Sequence, residues 1–208
     1  MKILLCVAAA VICYLLGGMN PSTLSSAKLF HRDIRGDETR NPGVANDPQY
    51  IGDYPWAVIC FDILKGMLLA WLTGLLFSWL FGYRQLGAAF ACFFTAIGHA
   101  FPVWYGFRGG KSAAIFIGAM WFIDWRASIV VLIIFLNFLI LKRYLSLAVI
   151  GAAVSLPILL AIIGTEHGAI LVFTILTALL IVLRHHENLR RISNGSEAMF
   201  TPRKKNTN

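Results

Sequence analysis

The sequence contains few charged residues. They make up 13% of 208 positions, whereas a soluble globular domain averages about a quarter. Hydrophobic residues make up 58% of the chain, and its mean hydropathy is +0.72. Repeated apolar runs approach the roughly 20 residues that a helix needs to cross a bilayer. These features predict an integral membrane protein with short loops, and they exclude a separate soluble domain of ordinary size.

Cysteine pairs and common catalytic signatures are also missing. The four cysteines lie inside apolar runs without a C-x-x-C pair, so they indicate neither a disulfide framework nor a metal site. No G-x-S-x-G elbow occurs. Gly110-Lys111-Ser112 resembles the end of a P-loop, but that motif requires a glycine where this chain has Tyr105. The sequence therefore indicates no metal, cofactor or nucleotide site.

Apolar runs predict an all-α, seven-transmembrane-helix bundle with interrupted or re-entrant segments. The first run is interrupted at Pro21, and the fourth is short for a complete span. We assign residues 1–193 to one transmembrane domain and 194–208 to a polar basic tail. The predicted spans cover about 3–27, 54–81, 86–105, 113–123 and 127–141, a sixth ending near 163, and 169–183.

The net charge of +8 is distributed unevenly between the two ends of the predicted bundle. Most of the 18 lysines and arginines fall on one side when the carboxyl terminus is cytoplasmic and the amino terminus is outside. In a membrane protein such an excess more often reflects topology or anionic lipid than nucleic acid. We therefore expect no nucleic-acid partner, and the sequence leaves the oligomeric state open.

A glycine-containing loop follows the third predicted span. The stretch from Gly98 to Ser112 breaks an apolar run at Pro102 and ends in Gly109-Gly110-Lys111. Adjacent glycines can turn successive N–H groups toward one anion, and Lys111 adds a full positive charge. The stretch predicts a phosphate cradle at the membrane edge, although a short basic connector remains the alternative interpretation.

Three further polar residues fall within predicted spans. Asp62 and Lys65 lie three residues apart on one helical face, where charges are costly unless they face the protein interior. The two charges could simply neutralise each other, which is a structural role, and the sequence favours this role and a functional one equally. His99 lies near the end of the third span, where a lone histidine is more often a hydrogen-bonded interior residue than a catalyst.

The polar segment 28–53 is long for so small a membrane protein, which favours a functional loop over a simple connector. A site at the cytoplasmic face would suit phosphorylated ligands if it combined Lys111 with basic and amide groups from distant segments. The candidates for those groups are Arg35, Asn41, Arg143 and Arg184.

Six groups of residues occur in a recognisable order along nearly the whole chain. They are Asp33-Ile34-Arg35, Asn41-x-Gly43-x-x-Asn46, Phe61-Asp62-x-x-Lys65-Gly66, Gly98-His99-x-Phe101-Pro102-Val103 through Gly106-Phe107-Arg108-Gly109-Gly110-Lys111, Lys142-Arg143-Tyr144-Leu145-Ser146-Leu147-Ala148, and Arg184-His185-x-Glu187-Asn188. Together they resemble the motifs of the bacterial acyl-phosphate:glycerol-3-phosphate acyltransferase family, whose members are small seven-span membrane enzymes.

The resemblance implies a reaction in phospholipid biosynthesis at the bacterial inner membrane. A fatty acyl group moves from acyl phosphate to the 1-hydroxyl of glycerol 3-phosphate, which yields lysophosphatidic acid and phosphate. The expected partners are these two substrates and membrane lipids, without a cofactor. Phosphate is already a good leaving group, so direct attack needs only positioning and charge stabilisation.

Residue roles follow from the same resemblance. The predicted catalytic residues are His185, Asn188, Ser146 and Lys111. His185, oriented by Asn188, is the candidate that accepts the hydroxyl proton, because imidazole titrates near neutrality. The predicted substrate- and phosphate-binding residues are Arg35, Thr39, Asn41, Gly43, Asn46, His99, Gly109, Gly110 and Arg143.

Two other functions remain open at this stage. Thr39, Arg40 and Gln49 depart from the family pattern in the first loop, which is compatible with a catalytically altered relative that binds another acceptor or a lipid precursor. A transporter of a phosphorylated solute could use the same basic groups and broken helices. The absence of an obvious internal repeat and the clustering of polar motifs on one face argue against transport.

Overall fold

The computed structural model describes residues 1–19 and 55–200, and all regular structure in these ranges is helical. The all-α prediction is therefore confirmed. The elements are α1 (Lys2–Gly17), α2 (Pro55–Phe81), α3 (Arg84–Ala100), a single 3₁₀ turn (Val103–Tyr105), α4 (Ala113–Ile123), α5 (Trp125–Lys142), α6 (Leu145–Ile163), α7 (Ala169–Arg184) and α8 (His186–Ser193).

Each of the seven predicted apolar segments contains a helix, but the helices differ in length. Within the described ranges, four helices are long and apolar enough to cross a membrane, and the pair α7 and α8, bent by 52°, could supply a fifth span. The helices α1 and α4 are shorter, at 16 and 11 residues. The integral membrane class is clear from these helices, whereas the exact count of seven spans stays a prediction.

Glycines bring the central helices into backbone contact. The helix α2 packs against α3 and α4, and α1 packs against α3. A Cβ at Gly66 would collide with the carbonyl oxygen of Ile115, and one at Gly118 would collide with that of Ile63. Since lipid tails are as apolar as the side chains, close packing of this kind replaces the hydrophobic effect in joining membrane helices.

The short helix α4 is buried inside the bundle. Its side chains Ile115, Phe116, Met120 and Ile123 are almost completely buried. Outer faces of the surrounding helices carry exposed apolar residues such as Trp79 and Ile140, as expected where lipid surrounds the protein. Because α4 follows the glycine loop directly, its burial anchors one end of that loop in the rigid core.

A sharp bend separates α7 from α8. The helix α7 ends at Arg184, His185 has φ −103° and ψ 9°, and α8 then runs from His186 to Ser193. The sequence predicts only the end of a span at this basic stretch, and the existence of α8 is an addition from the structure. The bend brings the residues after Arg184 back over the same end of the bundle that carries the glycine loop.

Candidate active site

The glycine loop has a backbone shape set by residues in the left-handed region. Gly106 and Phe107 both have φ +60°, and Ser112 has φ +62°. Side chains disfavour this region, so the non-glycine residues need compensating contacts. The Phe107 N–H donates to the Pro102 carbonyl at 2.9 Å, and the Ser112 hydroxyl donates to the Ala96 carbonyl at 2.7 Å. These bonds fix both ends of the loop.

The two central glycines of the loop are hydrogen-bonded to the protein itself. The Gly110 N–H donates to the His99 carbonyl at 3.0 Å. Arg184 donates from Nη2 to the Gly109 carbonyl at 2.7 Å and from Nε to the Gly110 carbonyl at 3.1 Å. In this conformation the Gly110 N–H already has a partner, and the predicted phosphate contact of the Gly109 and Gly110 amides stays a prediction. Arg184 likewise binds the loop carbonyls instead of standing open as a phosphate ligand.

His99 lies beneath the glycine loop, with 7% of its surface exposed. A Cβ at Gly110 would collide with His99 Nε2, which explains why that position needs glycine. His99 Nδ1 is 3.8 Å from Asp62 Oδ1 and has no hydrogen-bond partner among the described residues. His99 therefore supports the loop from the protein interior, and its predicted contact with a bound phosphate stays a prediction.

Lys111 lies half-buried at the end of the loop. Burial lowers the pKa of Lys111 to about 8, and the positive charges of Arg191 and Arg184 lower it further, while the carboxylates of Glu197 and Glu187 oppose the shift. All four of these charged neighbours come from the end of α7 or beyond it. The Lys111 ammonium thus faces the second polar stretch of the sequence, as a site built from distant segments requires.

Glu197 connects two of the predicted catalytic residues. Its Oε1 accepts a hydrogen bond from Ser146 Oγ at 2.9 Å and one from Asn188 Nδ2 at 2.6 Å, and its Oε2 accepts one from Arg191 Nε at 2.7 Å. Burial alone would raise the pKa of Glu197, but these bonds keep it below its ordinary value. Ser146, at the start of α6, and Asn188, on α8, are therefore held by one carboxylate.

Sequence reasoning missed Glu197, which lies in the stretch that it assigned to the polar tail. The signal was weak: an acidic residue in an otherwise basic terminal segment. The structure also ties the following residues down, because the Phe200 N–H donates to the Arg143 carbonyl at 2.6 Å. The described part of the terminal stretch thus packs against the start of α6 and contributes to the site.

His185 lies at the bend between α7 and α8 and is 3% exposed. Its Nδ1 is 2.8 Å from the Ile181 carbonyl oxygen. A carbonyl can only accept, so Nδ1 carries the proton and Nε2 keeps its lone pair. The prediction that Asn188 orients His185 is wrong: the Ile181 backbone does so, and Asn188 binds Glu197. The charge of Lys111 acts on the His185 ring, so the loop and the candidate base lie at the same end of the bundle.

The buried pair Asp62 and Lys65 in α2 contacts the end of α1. Lys65 Nζ donates to Asp62 Oδ1 at 2.8 Å, to the Gly17 carbonyl at 3.0 Å and to the Met19 carbonyl at 2.8 Å. Carbonyls at a helix end lack partners within the helix. The Lys65 ammonium therefore caps the end of α1. This contact supports a structural role for the Asp62 and Lys65 pair over a functional one.

We expect Lys65→Met to destabilise the protein by about 3–5 kcal/mol, because it leaves the Asp62 carboxylate buried without its cation. Unfolding of the detergent-solubilised protein in a denaturant series measures the loss. The matched control is Asp62→Asn combined with Lys65→Met, which removes both charges and should recover part of the stability. A single variant as stable as the unaltered protein would contradict the assignment.

The other predicted site residues divide into two groups. Arg143 is exposed at the end of α5 with φ +57°, so its side chain is accessible, and its contact with a substrate stays a prediction. The remaining residues belong to the first loop and lie outside the described residues; they are Arg35, Thr39, Asn41, Gly43 and Asn46. Their predicted part in substrate binding also stays a prediction.

Apolar helices with exposed apolar outer faces define the chain as an integral membrane protein. Its basic, partly buried candidate site lies at one end of the helical bundle. A family model described as Glycerol-3-phosphate acyltransferase matches residues 7–195. The chain belongs to that family, and the resemblance inferred from its motifs is confirmed.

Individual relatives match over almost their whole length. Glycerol-3-phosphate acyltransferase from Carboxydothermus hydrogenoformans is 32% identical over 199 residues, which is 95% of this chain and 98% of the relative. The Syntrophomonas wolfei protein of the same name is 35% identical over 199 residues, covering 93% and 96%. These coverages indicate a shared architecture from end to end.

Solved structures give the same result. Crystal structures of PlsY (YgiH), an integral membrane glycerol 3-phosphate acyltransferase, match the fold in two forms. The glycerol 3-phosphate form has a TM-score of 0.79 at 28% identity, covering 94% of this chain and 96% of that one. The lysophosphatidic acid form has a TM-score of 0.78 at 29% identity, covering 94% and 95%.

Proposed function

We propose that this protein transfers a fatty acyl group from acyl phosphate to the 1-hydroxyl of glycerol 3-phosphate, releasing lysophosphatidic acid and phosphate. One observation carries the proposal: the Lys111 loop, His185 and the Glu197 network occupy the same end of the bundle. Family membership supports it, since the matching PlsY structures are named for their glycerol 3-phosphate and lysophosphatidic acid forms.

The proposed reaction is a direct displacement. His185 Nε2 accepts the proton of the acceptor hydroxyl as its oxygen attacks the acyl carbonyl carbon. The bond to phosphate then breaks, and the phosphate takes the electron pair beside the Lys111 ammonium, which offsets its charge. The proton held by His185 passes to the departing phosphate, which leaves as hydrogen phosphate and restores the neutral imidazole. No covalent acyl-enzyme forms in this route, and each transfer releases one phosphate and one lysophosphatidic acid.

Asn188 is a candidate for orienting the acceptor. Its Nδ2 is bound to Glu197, while its Oδ1 is buried and has no hydrogen-bond partner among the described residues. A buried amide oxygen normally has a donor, and a hydroxyl of glycerol 3-phosphate could supply it. Glu197 would then act indirectly by fixing both Asn188 and Ser146 in place.

An apolar groove between α6 and α7 suits the fatty acyl chain. It has a volume of about 480 Å³ and an almost entirely hydrocarbon lining. Its wall residue Val182 lies about one helical turn before His185, so the groove begins close to the proposed reaction centre. Other lining residues include Val154, Pro157, Ile158, Ala178 and Leu179.

We place the site on the cytoplasmic side of a bacterial inner membrane, with the amino terminus outside and the carboxyl terminus inside. The end of the bundle that carries the site is rich in positive charge, as the positive-inside tendency requires. Its basic residues include Arg108, Lys111, Lys142, Arg143, Arg190 and Arg191. At the opposite end, Lys2 donates to the Leu80 carbonyl, which places the start of α1 beside the end of α2.

Reconstitution tests the function directly. Purified protein in sealed phospholipid vesicles receives labelled glycerol 3-phosphate and palmitoyl phosphate, with protein-free vesicles as the control. We expect lysophosphatidic acid and an equal amount of released phosphate. Entry of glycerol 3-phosphate into the vesicles without acylation would instead indicate a transporter, and binding without product would indicate a catalytically altered relative.

The alkaline pH dependence follows from Lys111. Because its pKa is lowered to about 8, the protonated form that binds phosphate is present below pH 8 and is lost above it. We expect kcat/KM, which reports groups in the free enzyme, to fall above pH 8 by about tenfold per pH unit. Lys111→Arg keeps its charge throughout this range and should remove this limb. An alkaline limb unchanged in Lys111→Arg would assign the titration to another group.

A further inference from the structure

Arg184 makes an unusual set of contacts for a cation beside a proposed phosphate site. Its guanidinium donates to two consecutive carbonyls, those of Gly109 at 2.7 Å and Gly110 at 3.1 Å, and its Cζ lies 5.2 Å from the centre of the Phe101 ring. The planar guanidinium has donors in a fixed fork that can serve two adjacent acceptors, which a lysine ammonium cannot match.

These contacts join two parts of the site that are far apart in sequence. Arg184 is the last residue of α7 and directly precedes His185, whereas its guanidinium binds the loop that carries Lys111. The other bonds that fix the loop lead to α3, from the Gly110 N–H and from Ser112, and to α1, through Phe101 and Trp104. Among the hydrogen bonds of the described residues, those of Arg184 alone connect the glycine loop to α7.

The direction of the two carbonyls also matters for an anion site. A carbonyl oxygen carries partial negative charge and would repel a phosphate that it faced. Both oxygens point instead at a cation, which keeps this negative charge neutralised close to Lys111. The same contacts occupy Nε and Nη2 of the guanidinium, so Arg184 is not open to bind phosphate through that edge.

We propose that Arg184 is a positioning residue that fixes the glycine loop, and with it Lys111, relative to His185. The inference rests on the proposed function for its effect on the reaction, but the effect on the loop can be measured without any reaction. Arg184 acts through other groups and needs no contact with the substrate.

Two variants separate positioning from direct phosphate binding. Arg184→Gln removes the charge and the fork, and Arg184→Lys keeps the charge but lacks the planar fork that holds two adjacent carbonyls in a fixed geometry. Displacement of about 1 Å in a site can reduce turnover by about 100-fold. We therefore expect kcat/KM to fall about 100-fold in Arg184→Gln and at least about tenfold in Arg184→Lys, mainly through kcat.

The matched control is Arg190→Gln, on the exposed side of α8 and away from the loop contacts. It should leave kcat/KM within about twofold of the unaltered protein, because surface changes away from such contacts have small effects. Amide hydrogen exchange followed by mass spectrometry supplies the readout that does not depend on activity. Peptides covering 106–112 should exchange faster in both Arg184 variants, while peptides within α7 and the whole Arg190→Gln protein should match the unaltered protein.

Two results would overturn the inference. Unchanged exchange of the 106–112 peptides in Arg184→Gln would show that Arg184 does not fix the loop. Full activity in Arg184→Lys would show that a point charge suffices and that the fork has no positioning role. If the unaltered protein fails to acylate glycerol 3-phosphate, the proposed function fails, and the exchange measurement still decides whether Arg184 fixes the loop.

Discussion

Lys111→Ala should lower kcat/KM by at least about 100-fold, the usual effect of removing a group that stabilises charge in a transition state. The substitution removes the only ammonium of the glycine loop, which lies half-buried and faces the charged groups of α7 and α8. In a partly buried site this charge has few competing water contacts, so its loss weakens both phosphate binding and turnover. Initial rates measured against both substrates test the expectation.

Two controls make the Lys111 result specific. Lys111→Arg keeps the charge and should lose less activity than Lys111→Ala. Arg190→Ala removes an exposed positive charge at the same end of the bundle and should have little effect, because exposed charges are screened by water and salt. Wild-type KM and kcat in Lys111→Ala would remove this residue from the account.

His185→Ala should lower kcat by about 100- to 10,000-fold with a much smaller change in KM, as expected for the loss of a general base. The Ile181 carbonyl fixes the protonated Nδ1, which leaves Nε2 as the acceptor in the neutral ring. Lys111 and the glycine loop are unchanged in His185→Ala, so the variant should still bind both substrates. Steady-state kinetics at saturating concentrations of both substrates separate the two effects.

The amide variant His185→Gln provides the control for packing. It fills part of the same buried space but cannot act as a base, so it should be about as inactive as His185→Ala while remaining folded. Equal and mild losses in His185→Ala and Lys111→Ala would contradict the separate roles of base and phosphate ligand. Activity restored by glutamine would indicate a positioning role for His185.

The class of the protein and the places of its helices could be predicted from the sequence because hydropathy is a local signal. Seven apolar runs each produced a helix, and the ordered motifs identified the family before any contact was known. The sequence explained only part of the role of the loop glycines. It predicted that the amides of Gly109 and Gly110 contact phosphate, whereas the structure shows that Gly110 is also required by the close approach of His99.

The partners of polar side chains could not be predicted, because they depend on contacts between distant segments. Arg184 is chemically suited both to phosphate and to carbonyl oxygens, and only the fold decides that it binds Gly109 and Gly110. The sequence assigns Glu197 to a polar tail. In the structure, the chain bends after Arg184 and Glu197 accepts a hydrogen bond from Ser146. A single sequence carries no local pattern that encodes such pairings.

A structure with glycerol 3-phosphate and a non-transferable acyl phosphonate bound together would test the central claim most directly. The account predicts the phosphonate within about 3.5 Å of Lys111 Nζ and the 1-hydroxyl of the acceptor within about 3.2 Å of His185 Nε2, in one continuous site. Ligands bound where Lys111 and His185 cannot both reach the reacting atoms would contradict it.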